Sequence, residues 1–193
     1  MSLKGFYLGI ALTLSLGLAA FAQPHLDLEA GVSQISGPYP GTGARMAYSV
    51  GVGYRYAVNS ILGLDPILEL TWQGEKDYGA IYATLPVFVT ARVAHFEFGI
   101  GPYAAYGLWD QKNDPRYYDS PWNSDVYPYY EASAFGYLKR FDAGAACRLL
   151  YRLSGWYLGL EGSYGLMNSA VKGDAPSFTA HNMNLRLLLG VTF

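Results

Sequence analysis

Eight times between His25 and Phe193 the chain runs for ten or more residues with apolar side chains alternating with small or charged ones, and turn-forming residues separate the runs. A two-residue period argues for a β-strand with one apolar face. The runs are residues 25–36, 45–57, 61–73, 81–93, 96–109, 138–152, 156–168 and 181–193. Each is longer than the mean soluble strand of about 5 to 6 residues, and each suits the about 9 to 11 tilted residues that cross a bilayer.

In the last run Met183, Leu185, Leu187, Leu189, Val191 and Phe193 share one face, while Asn182, Asn184, Arg186, Gly190 and Thr192 share the other. The first run sets Leu26, Leu28, Ala30 and Val32 against Asp27, Glu29, Gly31 and Ser33, and the second sets Tyr48, Val50, Val52, Tyr54 and Tyr56 against Ser49, Gly51, Gly53 and Arg55. Magnitude decides which face meets lipid: an arginine turned to the bilayer midplane costs about 2 to 4 kcal/mol. Several would exhaust the about 5 to 15 kcal/mol that holds a domain together. Arg55, Arg92, Arg148, Arg152 and Arg186 are therefore expected inside a closed barrel, and the same count brings in Asp27, Glu29, Glu69, Glu97, Asp142 and Glu161. Acid and base nearly balance. Eight strands enclose a space that side chains fill, so the expected interior is an interlocked ionic plug with no open pore, tolerable because the charges pair. The predicted class is an all-β, eight-stranded antiparallel up-and-down transmembrane barrel.

Residues 1–22 stand apart. Lys4, the apolar stretch around Ile10 to Leu18 and the closing Ala20-Phe21-Ala22 have the form of a cleaved secretory signal, which leaves residues 23–193 as the barrel domain. Of 13 basic residues only Lys4 leaves with the signal, so 12 face 15 acidic ones, a net charge of −3 that points neither to nucleic acid nor to a strongly charged partner. The single cysteine, Cys147, excludes a disulfide framework and sits nowhere near the cleavage point, where a lipid anchor would attach. After the signal no stretch is long and apolar enough to be a membrane helix, so a membrane-spanning form must be a barrel.

The connections alternate in length. Those near Asn59-Ser60, Ala94-His95 and Ser154-Gly155 are short, and those near residues 37–44, 74–80, 110–137 and 169–180 are long. Outer-membrane barrels carry short turns on the periplasmic side and long loops outside. Lys76, Lys112, Lys139 and Lys172 all fall in or beside the long connections. Outward aromatics fall near strand ends: Tyr56, Phe96, Tyr151, Trp156 and Phe193 at the inner end, with Tyr48, Trp72 and Tyr106 towards the outer, the placement of two interfacial girdles. A free terminal Phe193 on the last strand resembles the signal read by the barrel-insertion machinery.

LPVF (Leu85 to Phe88), FGIGPYAAYGL (Phe98 to Leu108), KRFDAG (Lys139 to Gly144) and YGLMN (Tyr164 to Asn168) together resemble the PorT-like outer-membrane β-barrel proteins of Bacteroidota-type bacteria. The resemblance covers roughly residues 24 to 193, and KRFDAG followed by YGLMN is its most specific part. It implies an eight-stranded barrel, in a group most of whose members have no assigned activity. One member type belongs to a gliding or secretion apparatus, a role the resemblance does not carry to this chain. The long aromatic third outer loop departs from the pattern.

That loop, Asp110 to Tyr137, crowds Tyr117, Tyr118, Trp122, Tyr127, Tyr129 and Tyr130 into fourteen residues beside Asp114, Asp119 and Asp125. Exposed rings with polar neighbours suit a glycan, peptide or protein ligand; equally, the rings can pack on one another and cap the barrel. The aspartates lack the regular spacing of a calcium loop. His181 with Ser177 and Asp174 can be drawn as an outer-rim triad for lipid A modification, but no strained nucleophile motif accompanies them. His25 and His95 fall at the opposite end, and no metal site or cofactor is expected. Cys147 reads as a small packing residue on the lipid face. The interior charges could form an ion path, although in so narrow a barrel mutual pairing accounts for them.

The main reading is a non-enzymatic outer-membrane barrel anchoring external loops. Its expected partners are outer-membrane lipid and lipopolysaccharide, the insertion machinery, and a glycan or protein outside, with no nucleic acid. The alternatives are an outer-rim lipid A-modifying enzyme and a soluble secreted lipocalin-like barrel. The latter would wear its charges outside.

Overall fold

The computed structural model describes residues 22–36, 43–74, 79–110, 139–167 and 180–193. Eight strands occupy them: β1 (Ala22–Ser36), β2 (Arg45–Ala57), β3 (Leu62–Gly74), β4 (Gly79–Val93), β5 (Phe96–Asp110), β6 (Phe141–Arg152), β7 (Trp156–Gly165) and β8 (His181–Thr192). Each pairs antiparallel with the next, and β8 closes on β1. Closure removes the free edges that an open sheet would leave unpaired. At the seam Leu28 faces Leu189 and Ala30 faces Leu187, and the Phe193 amide donates to the Pro24 carbonyl at 3.0 Å, pinning the last residue to the first strand.

The faces divide by parity. Leucine, valine, isoleucine and aromatic side chains on all eight strands are exposed on the outside, among them Leu187 at 68% and Ile100 at 67%, while the charged side chains point inward and are buried, except for Arg92 and Arg152 at the short-turn end, which keep partial exposure. A soluble barrel does the reverse. With so much hydrocarbon outside and ionised groups within, the lipocalin-like alternative fails, and the barrel is a transmembrane one. Cys147 is exposed on the apolar outer face. Phe96 and Tyr151 meet edge-on at 5.3 Å beside the short turns, and Tyr48 lies 5.9 Å from Trp72 towards the other end.

Three of the four prolines in the strands coincide with gaps in the ladder. Pairing lapses between β2 and β3 opposite Pro66, between β3 and β4 at Pro86, and between β4 and β5 at Pro102. A proline has no N–H to give the ladder. Farther along, β4 and β5 slip register between Ile81 and Tyr82, so Leu108 and Trp109 are both exposed, where strict alternation would have turned one of them inward.

The sequence-based strand bounds hold to within about three residues. β7 ends at Gly165 and not at Asn168, because Leu166 and Met167 both turn their amides to the Ala143 carbonyl, at 3.0 and 3.2 Å. Residues 1–21 of the expected signal lie outside the described residues, and Ala22 is the first residue of β1.

Candidate functional site

The interior of the barrel is where the chain spends its charge. At the end with the short turns, the Arg148 guanidinium has a fully buried side chain and lies against Asp65, with Asp27 at 3.8 Å and Glu97 at 3.9 Å. Arg55 reaches Asp65 at 3.1 Å and Glu97 at 3.0 Å. The second oxygen of Glu97 takes Arg92 at 3.0 Å and Arg152 at 3.3 Å. The Tyr157 hydroxyl donates to Asp27, and His25 Nε2 stands 3.5 Å from Asp27 and 3.6 Å from Asp65. Aromatic faces complete the packing, with the Arg148 guanidinium 4.5 Å over Phe88 and that of Arg55 5.2 Å over Tyr157.

Halfway up, one cation serves three acids. Arg186 Nε meets Glu29 at 2.8 Å, and its Nη2 meets Glu161 at 2.7 Å and Glu69 at 3.5 Å. Its Nη1 donates to Thr71 Oγ1 at 3.3 Å. The three glutamates bring carboxylate oxygens within 4.8 Å of one another, a spacing a hard cation could use; Arg186 contacts all three, so a guanidinium serves as their cation. Towards the long-loop end the arginines give way to amide and hydroxyl donors: Asn184 donates to Gln73 at 2.8 Å and to Ser163 at 3.1 Å. Asn182 and the Tyr103 hydroxyl donate to Asp142 at 2.8 and 2.9 Å.

Small residues make this crowding possible. A Cβ on Gly190 would run into the Tyr157 ring, and one on Gly53 into the His25 imidazole. Each glycine gives its inward space to a ring from a neighbouring strand.

The structure places all eleven of the sequence-derived charged residues inside the barrel: Asp27, Glu29, Arg55, Glu69, Arg92, Glu97, Asp142, Arg148, Arg152, Glu161 and Arg186. It also adds groups that the sequence reading passed over. Asp65 is fully buried and is the carboxylate to which Arg55 and Arg148 both turn. Its signal was parity, two steps of two before Glu69, beside a proline that resembles a turn. His25, expected only near that end, is a buried interior residue. The interior is also less purely ionic than expected. Ile67, Tyr82, Phe88, Tyr103, Ala105 and Ala146 belong to one apolar cluster, and Leu150, Tyr157 and Leu188 form a second.

Nor are the charges evenly mixed. Arg55, Arg92, Arg148 and Arg152 outnumber Asp27, Asp65 and Glu97 at the short-turn end, whereas Arg186 alone faces Glu29, Glu69 and Glu161 in the middle. The near balance expected from counting the whole interior therefore hides a cationic end and an acidic centre.

Tyr117, Tyr118, Trp122, Tyr127, Tyr129 and Tyr130 lie outside the described residues, as do Asp114, Asp119, Asp125, Asp174 and Ser177. His181, the remaining member of the sketched triad, stacks on Tyr164 at 5.5 Å and has its Nδ1 2.8 Å from the Gly165 carbonyl.

No protein-family model matches the chain, and no curated protein matches it in sequence. Its fold is similar to that of solved outer-membrane barrels. The crystal structure of Neisserial surface protein A aligns at a TM-score of 0.55 with 10% identity, over 89% of this chain and 99% of that one. The attachment invasion locus protein of Yersinia pestis aligns at 0.41 with 14% identity, over 89% and 99%. Outer membrane protein OprG from Pseudomonas aeruginosa aligns at 0.41 with 11% identity, over 88% and 95%. At 10% identity the likeness to Neisserial surface protein A is one of fold alone, and the fold of this chain is the small closed eight-stranded barrel.

Proposed function

We propose that this chain is a non-enzymatic protein of the cell outer membrane, exported by its first 22 residues, whose plugged barrel anchors external loops for binding or envelope organisation. One observation carries the reading: an apolar exterior encloses an interior whose charged groups are buried and turned on one another. Such a body stands in lipid and offers solvent only its two ends. The short turns and both strand termini face the periplasm, the long connections face outward, and lipopolysaccharide surrounds the outer half. Phe193, next after β8, is read by the barrel-insertion machinery. KRFDAG and YGLMN support a place among the PorT-like barrels of Bacteroidota-type bacteria.

The loop of residues 110–137 is the element to test, because its rings supply contact area at low entropic cost. Intact protein and a variant with this loop shortened, both used to pull down envelope proteins and glycans, are expected to differ in what they capture. Identical captures would reduce the loop to a lid. The plug is tested separately. Reconstituted into planar bilayers, the protein is expected to give no steady conductance steps, since the charges that fill the lumen leave no continuous water column. Regular open-state steps would mean the interior rearranges, and the plugged reading would be lost.

A further inference from the structure

We propose that the short-turn mouth of the barrel is a binding site for a small oxyanion, a phosphate or carboxylate, held by the guanidiniums of Arg55 and Arg92 with Arg152 behind them. A cavity of about 330 Å³ opens there, between the β2–β3 turn and the inner wall, and Arg55, Asn59, Ser60, Thr90, Arg92 and Glu97 are among its lining residues.

Two independent features point to an anion. The first is charge. Among the described residues Glu97 is the one carboxylate lining the cavity, and both its oxygens lie at ion-pair distance from arginines: one from Arg55 at 3.0 Å, though without a hydrogen bond, the other from Arg92 at 3.0 Å and Arg152 at 3.3 Å. Deeper in, Asp27 and Asp65 must also serve Arg148. Three carboxylates for four guanidiniums leave one positive charge over at the mouth. The second feature is an idle donor. The Arg55 side chain is only 4% exposed, yet its Nη1 has no hydrogen-bond partner. A buried donor without a partner costs free energy that a ligand oxygen would recover.

Accessibility comes from Arg92, whose side chain is 39% exposed while those of Arg55 and Arg148 are sealed. An anion entering from the aqueous side meets Arg92 first and reaches Arg55 at the cavity wall. A guanidinium presents paired N–H donors that match two oxygens of a phosphate or carboxylate, which chloride cannot supply. Partial exclusion of water at the mouth strengthens each of these contacts.

The test uses the full barrel folded in a phospholipid-free detergent, with inorganic phosphate as the probe and sodium chloride matched for ionic strength. Calorimetric titration is expected to show saturable phosphate binding, with acetate weaker and chloride flat. Arg92→Gln is expected to weaken phosphate at least about tenfold, the loss typical of a charge-assisted contact. Ser60→Asp sets a carboxylate on the exposed turn, cancels the surplus charge and is expected to weaken binding similarly, so the test survives if one variant does not fold. Arg140→Gln, at the opposite end, leaves binding unchanged. A short-chain phosphatidylglycerol added below its micelle concentration identifies the source: competition with phosphate means that headgroups reach the site, and no competition means that it serves free solutes. Binding that follows ionic strength alone, or that neither mouth variant weakens, overturns the proposal. Orientation in the membrane supplies only the origin of the anion, and the titration is independent of what the outer loops capture, so either idea can fail without the other.

Discussion

Replacing Arg186 with leucine is expected to cost the barrel about 3 to 5 kcal/mol of stability, the usual consequence of removing one partner from a buried ionic group. The magnitude follows from the asymmetry around that side chain. Glu29, Glu69 and Glu161 all turn to the one guanidinium, at 2.8, 3.5 and 2.7 Å, and all three are buried. Leucine fills part of the volume but leaves the carboxylates facing one another with no cation in contact. Urea unfolding in phospholipid vesicles, followed by tryptophan fluorescence, measures the loss. A second variant separates charge from packing: Arg186→Leu combined with Glu29→Gln, Glu69→Gln and Glu161→Gln removes the surplus negative charge and is expected to recover most of the stability, because an uncharged replacement of a buried ionic cluster is often close to neutral. If the single variant loses less than about 1 kcal/mol, within the range of an exposed ion pair, then the cluster is more hydrated than its burial implies.

The same asymmetry shows what could and could not be read from the chain. Alternation fixed the strands well where one face carried charge: β2 runs from Arg45 to Ala57 in both the sequence reading and the structure, because Arg55 and the small residues before it oppose a row of valines and tyrosines. In β4 both faces carry large apolar residues, with Ile81, Leu85 and Val89 on one and Tyr82, Pro86 and Phe88, beside Thr84 and Thr90, on the other. There the contrast in hydropathy is weak, and parity with Arg92 is the clearest sign of which face turns in. The large buried rings Tyr82 and Phe88 were missed for that reason. Pairing was harder still. Asp65 and Arg148 lie 83 residues apart, and which strands face each other across the lumen depends on the tilt and stagger of the closed sheet. Composition could therefore give the total interior charge, while its separation into a cationic mouth and an acidic centre needed the register.

Leu187→Arg is expected to be the most damaging substitution on the outer face, at about 2 to 4 kcal/mol. Leu187 adjoins Arg186 in the chain and points the opposite way. It pairs with Ala30 and Leu160 in the middle of β8 and is 68% exposed. In water an exposed leucine replaced by arginine changes stability by no more than about 0.5 kcal/mol in either direction. In hydrocarbon the same exposure becomes the penalty, because a guanidinium at that depth has no water within reach of its stem. Depth supplies the internal control. Val191 lies four residues on, opposite Trp156 at the short-turn end of β8, where an arginine can extend to the headgroups. Val191→Arg is expected to cost about 0 to 1 kcal/mol. Unfolding in vesicles of defined thickness should order the variants as Leu187→Arg far below Val191→Arg and the parent. Equal and small effects at both positions would mean that the apolar face does not sit in lipid; they would then require another cover for this hydrocarbon wall, such as a second protein layer.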